Sequence, residues 1–364
     1  EAADKATFTQ AEVTAGDTAA RAGRKNLIIN GGFDVWQRGT TFSVVDNIYT
    51  TDRWLTEFGG FGAWTLSRST DAPAGFGYSL DLDCTAADAS PAVGDVLQLF
   101  HRLEGQDLQQ LQKGTSGAKS ITFSFWIKSN KIGNLQVNLR DANSRIIGAV
   151  YTINVADTWE KKSITFAGDT SGVIANDNTT ELTIEFPIGT GTNYSSGSVP
   201  TAWETTSTAD RNAGATINLA DSTANYWRIS GLQLELGSVA TDFEHRSYGE
   251  ILADCQRYFY SAADGSSKSL GLGVNYTSTY MMGAIHFPVS MRTTPTLNAA
   301  SGTNYYEFIR NNAADFINSL SLGNRSTNKI GEIYNSTEIS GTVGHSGYIR
   351  TDNSAVFVHF DAEL

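Results

Sequence analysis

The segment SITFSFWIKS, residues 120–129, alternates strictly between apolar and other side chains. A period of two is that of a β-strand, in which successive side chains point to opposite faces of a sheet. The segments NLQVNLRDA and ELTIEFPIG repeat the alternation, and many further short runs are separated by Gly, Asn, Asp and Ser. Short strands joined by turns predict an all-β chain built as a sandwich or barrel, without strand–helix–strand units.

Composition limits the classes of function that the chain can serve. Hydrophobic residues make up 40% of the 364 residues, which is enough for a sizeable core, and the net charge is −12. Nucleic acids and anionic membranes attract basic surfaces, so this charge argues against both partners. The sequence has no apolar run of about 18 residues, so no membrane insertion is predicted. Cys84 and Cys255 lie far apart, which predicts two free thiols and neither a disulfide framework nor a structural zinc site.

The chain divides into four predicted parts. Residues 1–25 are rich in Ala and Thr and are predicted to be a linker or the end of a stalk. Residues 26–247 form a first β domain, 248–262 a connecting segment and 263–364 a smaller distal β domain. Two segments could be helical, namely EGQDLQQLQKG and the amphipathic stretch within residues 245–262. A polar stretch at 189–218 is long enough to be a functional or mobile loop.

The segment NLIINGGFDVWQRGTTF opens the first domain and could be a ligand site or a first strand. We interpret it as the first strand and turn, with a bulge or tight turn at Gly31 and Gly32. Phe33 is then a core residue. A core position is also predicted for four tryptophans: Trp36, Trp54, Trp159 and Trp227.

Candidate binding residues come from the non-aliphatic faces of the strands. A sugar needs a flat aromatic platform, with amides, carboxylates or Arg to satisfy its hydroxyl groups. If these strands share one sheet, the alternation puts one tryptophan and several polar side chains on one surface: Trp126, Gln136, Asn138, Arg140, Thr183 and Glu185. Tyr194 and Trp203, in the polar stretch, form a second candidate platform. The alternatives are an ordinary solvated or loop-covered sheet face, and a loop anchored by its own aromatic residues.

Catalytic motifs are missing from the sequence. It contains no G-x-S-x-G elbow, Walker loop, dinucleotide-binding glycine motif or H-E-x-x-H zinc motif. His101 and His245 each precede an arginine and are interpreted as structural or surface groups. A glycosidase would need two carboxylates whose relevant spacing is spatial, so the sequence leaves such a pair open. We therefore predict a protein that is not an enzyme.

Three segments together resemble tail fibre and receptor-binding proteins of tailed bacteriophages. They are NLIINGGFDVWQRGTTF…YTTDRW, then YWRISGLQLELGSVATDFEHRSYGEILADCQRYFY, and finally FPVSMRTTPTL. The N-L-I-x-N-G-x-F start also resembles carbohydrate-binding modules of the jelly-roll type. The resemblance covers most of residues 26–297, and the GLQLELG…ATDFEHR…CQRYF portion is its most specific part.

The resemblance implies a jelly-roll β-sandwich followed by a smaller C-terminal β-sandwich, in a virion tail fibre made in the host cytoplasm. Its expected partners are a host surface glycan, further copies in a homotrimer, and other tail proteins on the N-terminal side. Two alternatives are a glycan-degrading depolymerase and a purely structural or trimerising module. Related modules often hold calcium near the first strand. Asp34 matches that position, but Arg228 and Ser230 stand where acids would be needed, so no cofactor is predicted.

Overall fold

A computed structural model describes residues 24–311 and 313–364 of the chain. The predicted linker at residues 1–25 lies outside these residues, except for Arg24 and Lys25. The described part contains two short α-helices and twenty-three strands in four sheets, so the all-β prediction is confirmed. Every ladder between named strands is antiparallel, for example between β13 (Tyr226–Leu236) and β7 (Ile121–Ser129).

The first two sheets lie within residues 41–236. Sheet I has the strand order β1-β4-β5-β13-β7-β10, and sheet II has the order β12-β9-β8-β11-β6-β3-β2. Their remaining strands are β1 (Thr41–Ser43), β2 (Ile48–Tyr49), β3 (Trp54–Gly59), β4 (Ala63–Ser69), β5 (Ser79–Ala86), β6 (Val96–Glu104), β8 (Gly133–Asp141), β9 (Arg145–Ile153), β10 (Glu160–Phe166), β11 (Thr180–Thr190) and β12 (Glu204–Thr205).

Sheets I and II face each other across an aromatic core, which makes the predicted sandwich. Phe123 and Phe125 of sheet I meet Phe186 of sheet II, with ring centroids 5.6 and 5.3 Å apart. Trp227 lies 5.5 Å from the same Phe186 ring, and all four side chains are fully buried. The inward positions are those that the sequence alternation predicts, because burial of one strand face removes apolar surface from water.

The opening segment differs from its prediction. Leu27, Ile28 and Ile29 are buried but belong to no strand, and β1 begins only at Thr41. The Leu27 amide donates to the Leu234 carbonyl at 2.9 Å, so this extended run is held to the end of β13 by isolated bonds. Gly31 follows in a turn, where a Cβ atom would lie 2.1 Å from the Leu232 carbonyl oxygen. Phe33 and Trp36 are buried, which confirms their core position, as it does for Trp54 and Trp227.

The other two sheets lie within residues 259–361. Sheet III has the order β14-β23-β17, and sheet IV has the order β19-β18-β22-β15-β16-β21-β20. They share a second core that includes Phe308, Ile349 and Phe360. Their strands are β14 (Phe259–Asp264), β15 (Ser269–Thr277), β16 (Tyr280–His286), β17 (Thr296–Ala299), β18 (Tyr306–Arg310), β19 (Ala313–Ile317), β20 (Ser321–Leu322), β21 (Ile330–Asn335), β22 (Ser346–Thr351) and β23 (Phe357–Asp361). The domain boundaries given above stay a prediction.

Helical structure is short. The EGQDLQQLQKG segment forms two 3-10 turns, Gly105–Asp107 and Gln109–Leu111, which end where Gln112 adopts a left-handed conformation. Helix α1 spans Thr192–Ser195 and α2 spans Tyr248–Gln256. A capping box between Ser247 and Glu250 satisfies the first amides of α2. No helix within the described ranges is long and apolar enough to cross a membrane.

A charged junction joins the two cores. The Glu104 carboxylate, at the end of β6, accepts bonds from the Arg257 guanidinium at 2.7 and 2.8 Å and from the Tyr258 hydroxyl. Near the other end of the chain, Glu363 pairs with Arg38 at 3.0 Å and with the buried Arg53. We call these six residues the junction cluster. Their charges are largely removed from water and are stabilised by their partners.

Candidate functional site

Trp126 lies on the outer face of sheet I. Alternation along β7 turns Phe125 and Ile127 into the core and leaves Trp126 half-buried on the opposite face. Its ladder partners are Lys161 of β10 and Ser230 of β13, which therefore flank it on the same face. Lys161 is exposed, so the indole has a long polar neighbour on its open side.

Further aromatic rings continue from Trp126 across this face. Gly231 interrupts β13 with a φ of +63°, and a Cβ atom there would lie 2.5 Å from Phe76 and 3.0 Å from the Trp126 ring. Only glycine tolerates both that backbone conformation and that close approach without strain. Phe76 lies 4.9 Å from Phe243 and 5.3 Å from His245, measured between ring centroids. We call Trp126, Phe76, Phe243 and His245 the aromatic row.

Charged groups border the aromatic row on one side. The Asp71 carboxylate accepts bonds from Lys128 and from Arg228 at 2.8 Å each, and from the Trp159 indole at 3.0 Å. Burial raises the pKa of Asp71, but the bonds from Lys128 and Trp159 outweigh it and lower the pKa below its usual value. Trp159 is half-buried and bonded to this carboxylate, so its predicted core position is wrong.

Asp81 lies beneath this border. It pairs with the Arg228 guanidinium at 2.7 Å and is nearly inaccessible to solvent. Burial, together with the charge of Asp83, raises the pKa of Asp81 to about 6 in spite of Arg228. The border is thus a fixed set of ionised and hydrogen-bonding groups beside half-buried aromatic rings. Such a surface can stack against an apolar face of a ligand and bond its hydroxyl groups.

The other predicted strand residues lie on a different sheet, so the expectation of a single shared surface is wrong. Trp126 belongs to sheet I, whereas Gln136, Asn138, Arg140, Thr183 and Glu185 belong to sheet II. Strict alternation determines which residues of a strand share a face, but it does not determine which sheet the strand joins. In a sandwich the outer faces of the two sheets point in opposite directions.

Three of these side chains are buried under the 189–218 segment. Gln136 donates to the Asp210 carbonyl and Asn138 to the Arg211 carbonyl, at 2.8 and 2.7 Å. Glu185 pairs with Arg211 at 2.9 Å, and with Arg140 at 2.5 Å. The desolvated guanidinium keeps its charge because Glu185 and Glu57 raise the pKa of Arg211 against the effect of burial. These polar atoms are used inside the protein to fasten the segment onto sheet II.

Tyr194 and Trp203 also anchor this segment. Arg211 lies over the Tyr194 ring, 5.3 Å from its centroid. The Trp203 indole donates to the Ala167 carbonyl at 2.8 Å, and its ring packs against the sandwich core. Both rings are half-buried, and Arg140 keeps 30% of its side chain exposed. Whether any of the eight candidate residues named from the sequence contacts a ligand stays a prediction.

Asp34 does not sit in a cation site of its own. Burial raises the pKa of Asp34, and the nearby His245 side chain lowers it by a smaller amount. Over residues 24–311 and 313–364, no group of three or more His, Cys, Asp or Glu side chains is placed to hold a metal ion. No role is therefore derived from calcium.

Sequence reasoning missed most of the aromatic row and its border. Phe76 lies in the loop DAPAGFGYS, and Phe243 and His245 follow β13 in ATDFEHR, so no strand periodicity marks them. Asp71 comes from the same loop as Phe76. The available signal was an aromatic residue between glycines in a loop next to a strand, which indicates a constrained ring but no particular face.

The chain matches no family model and no curated protein in sequence. Among solved structures it is similar to the enzymatically active domain of tailspike protein 4 of bacteriophage CBA120, at 12% identity and a TM-score of 0.33. That match covers 58% of this chain and 21% of the tailspike chain. The family 11 carbohydrate-binding module from Clostridium thermocellum, in complex with a mixed-linked tetrasaccharide, gives 13% identity and a TM-score of 0.27 over 57% of this chain and 98% of the module. TmCBM61, in complex with β-1,4-galactotriose, gives 9% identity and a TM-score of 0.29. That match covers 59% of this chain and 100% of the TmCBM61 chain.

Proposed function

We propose that this chain is the receptor-binding part of a bacteriophage tail fibre, and that it binds a host surface glycan without catalysing a reaction. The aromatic row on sheet I carries this proposal. Trp126 projects from a strand of the sheet, and Phe76, Phe243 and His245 lie beside it from two loops, next to fixed hydrogen-bonding groups. The strand holds Trp126 more precisely than a free loop would.

Carbohydrate is the ligand class that this chemistry suits best. The C–H faces of a sugar ring stack on Trp126 and Phe76, while Lys161 and Asp71 are placed to bond its hydroxyl groups. Lys128 and Arg228 hold the Asp71 carboxylate in one position, so its remaining lone pairs have a fixed direction. A nucleic acid would meet repulsion from a chain of net charge −12.

The wider role rests on the segment order that resembles tail fibre proteins. In this role the chain belongs to the virion, forms a homotrimer, and attaches to other tail proteins on its N-terminal side. Three weak sites on one fibre tip bind a dense glycan surface far more tightly than one site does. This geometry makes modest affinity at each aromatic row sufficient for adsorption.

The test is binding of the purified chain to a panel of bacterial surface glycans and to host cells. Phe76→Ala and Phe243→Ala are expected to weaken binding, because each removes one ring from the row. Val93→Ala is the matched control, since Val93 is 63% exposed on the same sandwich but lies away from the row. Release of oligosaccharides from the bound polysaccharide, or equal binding by all three variants, would contradict the proposal.

A further inference from the structure

The outer face of sheet IV is an apolar surface. Its inner face packs on sheet III, whereas no further sheet or helix of the described residues packs on the outer one. The ladder brings Ile309, Tyr348 and Leu272 into one row across β18, β22 and β15. Leu272 is 75% exposed and Tyr348 is 42% exposed. Soluble proteins rarely leave a contiguous apolar face of this kind in water unless it has a partner.

A groove of about 450 Å³ opens on this face. Val274, Met282, Ala284 and Ile330 line it together with Leu272, which is 75% exposed. The register pairs Val274 with Met282, so the groove follows the boundary between β15 and β16. The face therefore carries a protruding apolar side chain beside an apolar recess.

The charges on this face cancel. Arg350 pairs with Glu307 at 2.5 Å, and Arg325 pairs with Glu332 at 3.4 Å. Two acids and two bases leave the face without net charge, although the chain as a whole carries −12. Two copies of such a chain repel each other over most of their surfaces, and a neutral apolar face is where they can approach.

We propose that this face packs against further copies of the same chain, with Leu272 of one copy seated in the groove of the next. A contact in which Leu272 of one copy enters the groove of the next is heterologous, and it gives a closed ring when the rotation between copies closes. This inference rests on the proposed self-association of the fibre and assigns a surface to it. Burial of Leu272 and Tyr348 supplies the apolar area that drives the association.

The first test is the molar mass in solution by light scattering. Wild-type chain is expected at a multiple of the single-chain mass, and Leu272→Glu at the single-chain mass with an unchanged circular dichroism spectrum. Val239→Glu is the matched control, because Val239 is 72% exposed outside this face, and this variant should keep the wild-type mass. A wild-type chain that stays single at all concentrations, or a Leu272→Glu variant that stays assembled, overturns the proposal.

The second test locates the contact. Leu272→Cys is labelled with a benzophenone maleimide, which leaves the buried Cys84 and Cys255 unmodified. Irradiation is expected to give a covalent species of twice the single-chain mass, in which the label is joined to peptides containing Met282 or Ile330 of the second copy. Crosslinks only to other regions overturn the proposal.

Glycan binding is measured in parallel: if Leu272→Glu stays assembled but no longer binds glycan, the face is a ligand site instead. Variants of the aromatic row test only the proposed function. Lost glycan binding at unchanged molar mass supports that function and leaves the self-association proposal standing.

Discussion

Arg211 is the residue on which the packing of the 189–218 segment depends most. Its guanidinium bonds Glu185, Gln98 and Glu57 at distances of 2.5–3.1 Å. Arg211→Leu leaves the fully buried Glu185 with one cation fewer, and breaking a buried pair in this way costs about 3–5 kcal/mol. We expect that loss in the free energy of unfolding, measured by urea denaturation. Arg325→Leu, at an ion pair with a 67% exposed arginine, should change it by less than about 1 kcal/mol; equal effects would contradict this account.

Glu160 makes stability depend on pH. Burial raises its pKa, but bonds from Lys162, Val155 and Asn154 lower it to about 2 in the folded state. A carboxyl group whose folded pKa lies below its unfolded value of 4.5 contributes stability above about pH 4.5, and loses it as the pH falls towards 2. Glu160→Gln should therefore unfold at lower urea concentration than wild type at pH 7. The difference should shrink steadily between pH 5 and pH 2.5, and a difference independent of pH would refute the assignment.

At the scale of the secondary-structure elements, Gly31 sets how the opening segment meets β13. A Cβ atom there would lie 2.1 Å from a backbone oxygen, which no side-chain movement relieves. Gly31→Ala is expected to lower the melting temperature by several degrees, through a backbone shift at the edge of the core. Gly249→Ala, within α2 and with open space around it, should instead leave the melting temperature unchanged or raise it. A larger drop in melting temperature for Gly249→Ala than for Gly31→Ala would contradict the close contact between Gly31 and the Leu232 carbonyl oxygen.

The sequence predicted the strands well and their grouping poorly. Alternation within residues 120–129 and the similar runs in β8 and β11 correctly identified the inward faces, because burial of one face is a local pattern. It could not tell that Trp126 and Gln136 join different sheets, since pairing is decided by contacts between distant parts of the chain. The run Leu27–Ile29 looked like a strand because its residues are apolar, but isolated bonds such as that from Leu27 to Leu234 join it to β13 without a regular ladder.

The site was predicted only in part for the same reason. Trp126 was recognised because it breaks the polar pattern of its strand face. Phe76 and His245 reach it from loops separated by more than a hundred residues, and only the folded chain brings them together. Gln136, Asn138 and Glu185 were correctly placed on a polar strand face, but the long polar loop that covers them has no periodicity that would predict its path.

At the scale of the whole molecule, the junction cluster determines how the two cores are held together. Glu363 follows the last strand, and its carboxylate pairs with Arg38 and Arg53, which belong to the first part of the chain. Glu363→Gln keeps the shape but removes the charge. By calorimetry we expect one thermal transition for the wild-type chain and two for this variant. Glu332→Gln, whose ion pair lies within sheet IV, should leave one transition. A single unchanged transition in both variants would show that the cluster does not couple the cores.

Binding of glycan at Trp126 is the central claim, and calorimetric titration of Trp126→Ala tests it most directly. The titrant is the glycan that binds the wild-type chain most strongly on the panel. Removing the Trp126 indole is expected to cost at least about 2 kcal/mol, or roughly a 30-fold loss of affinity, with the melting temperature nearly unchanged. Trp203→Ala, which removes a ring of the 189–218 segment, should bind within about twofold of wild type. Wild-type affinity in Trp126→Ala, or a loss only in Trp203→Ala, would contradict the account.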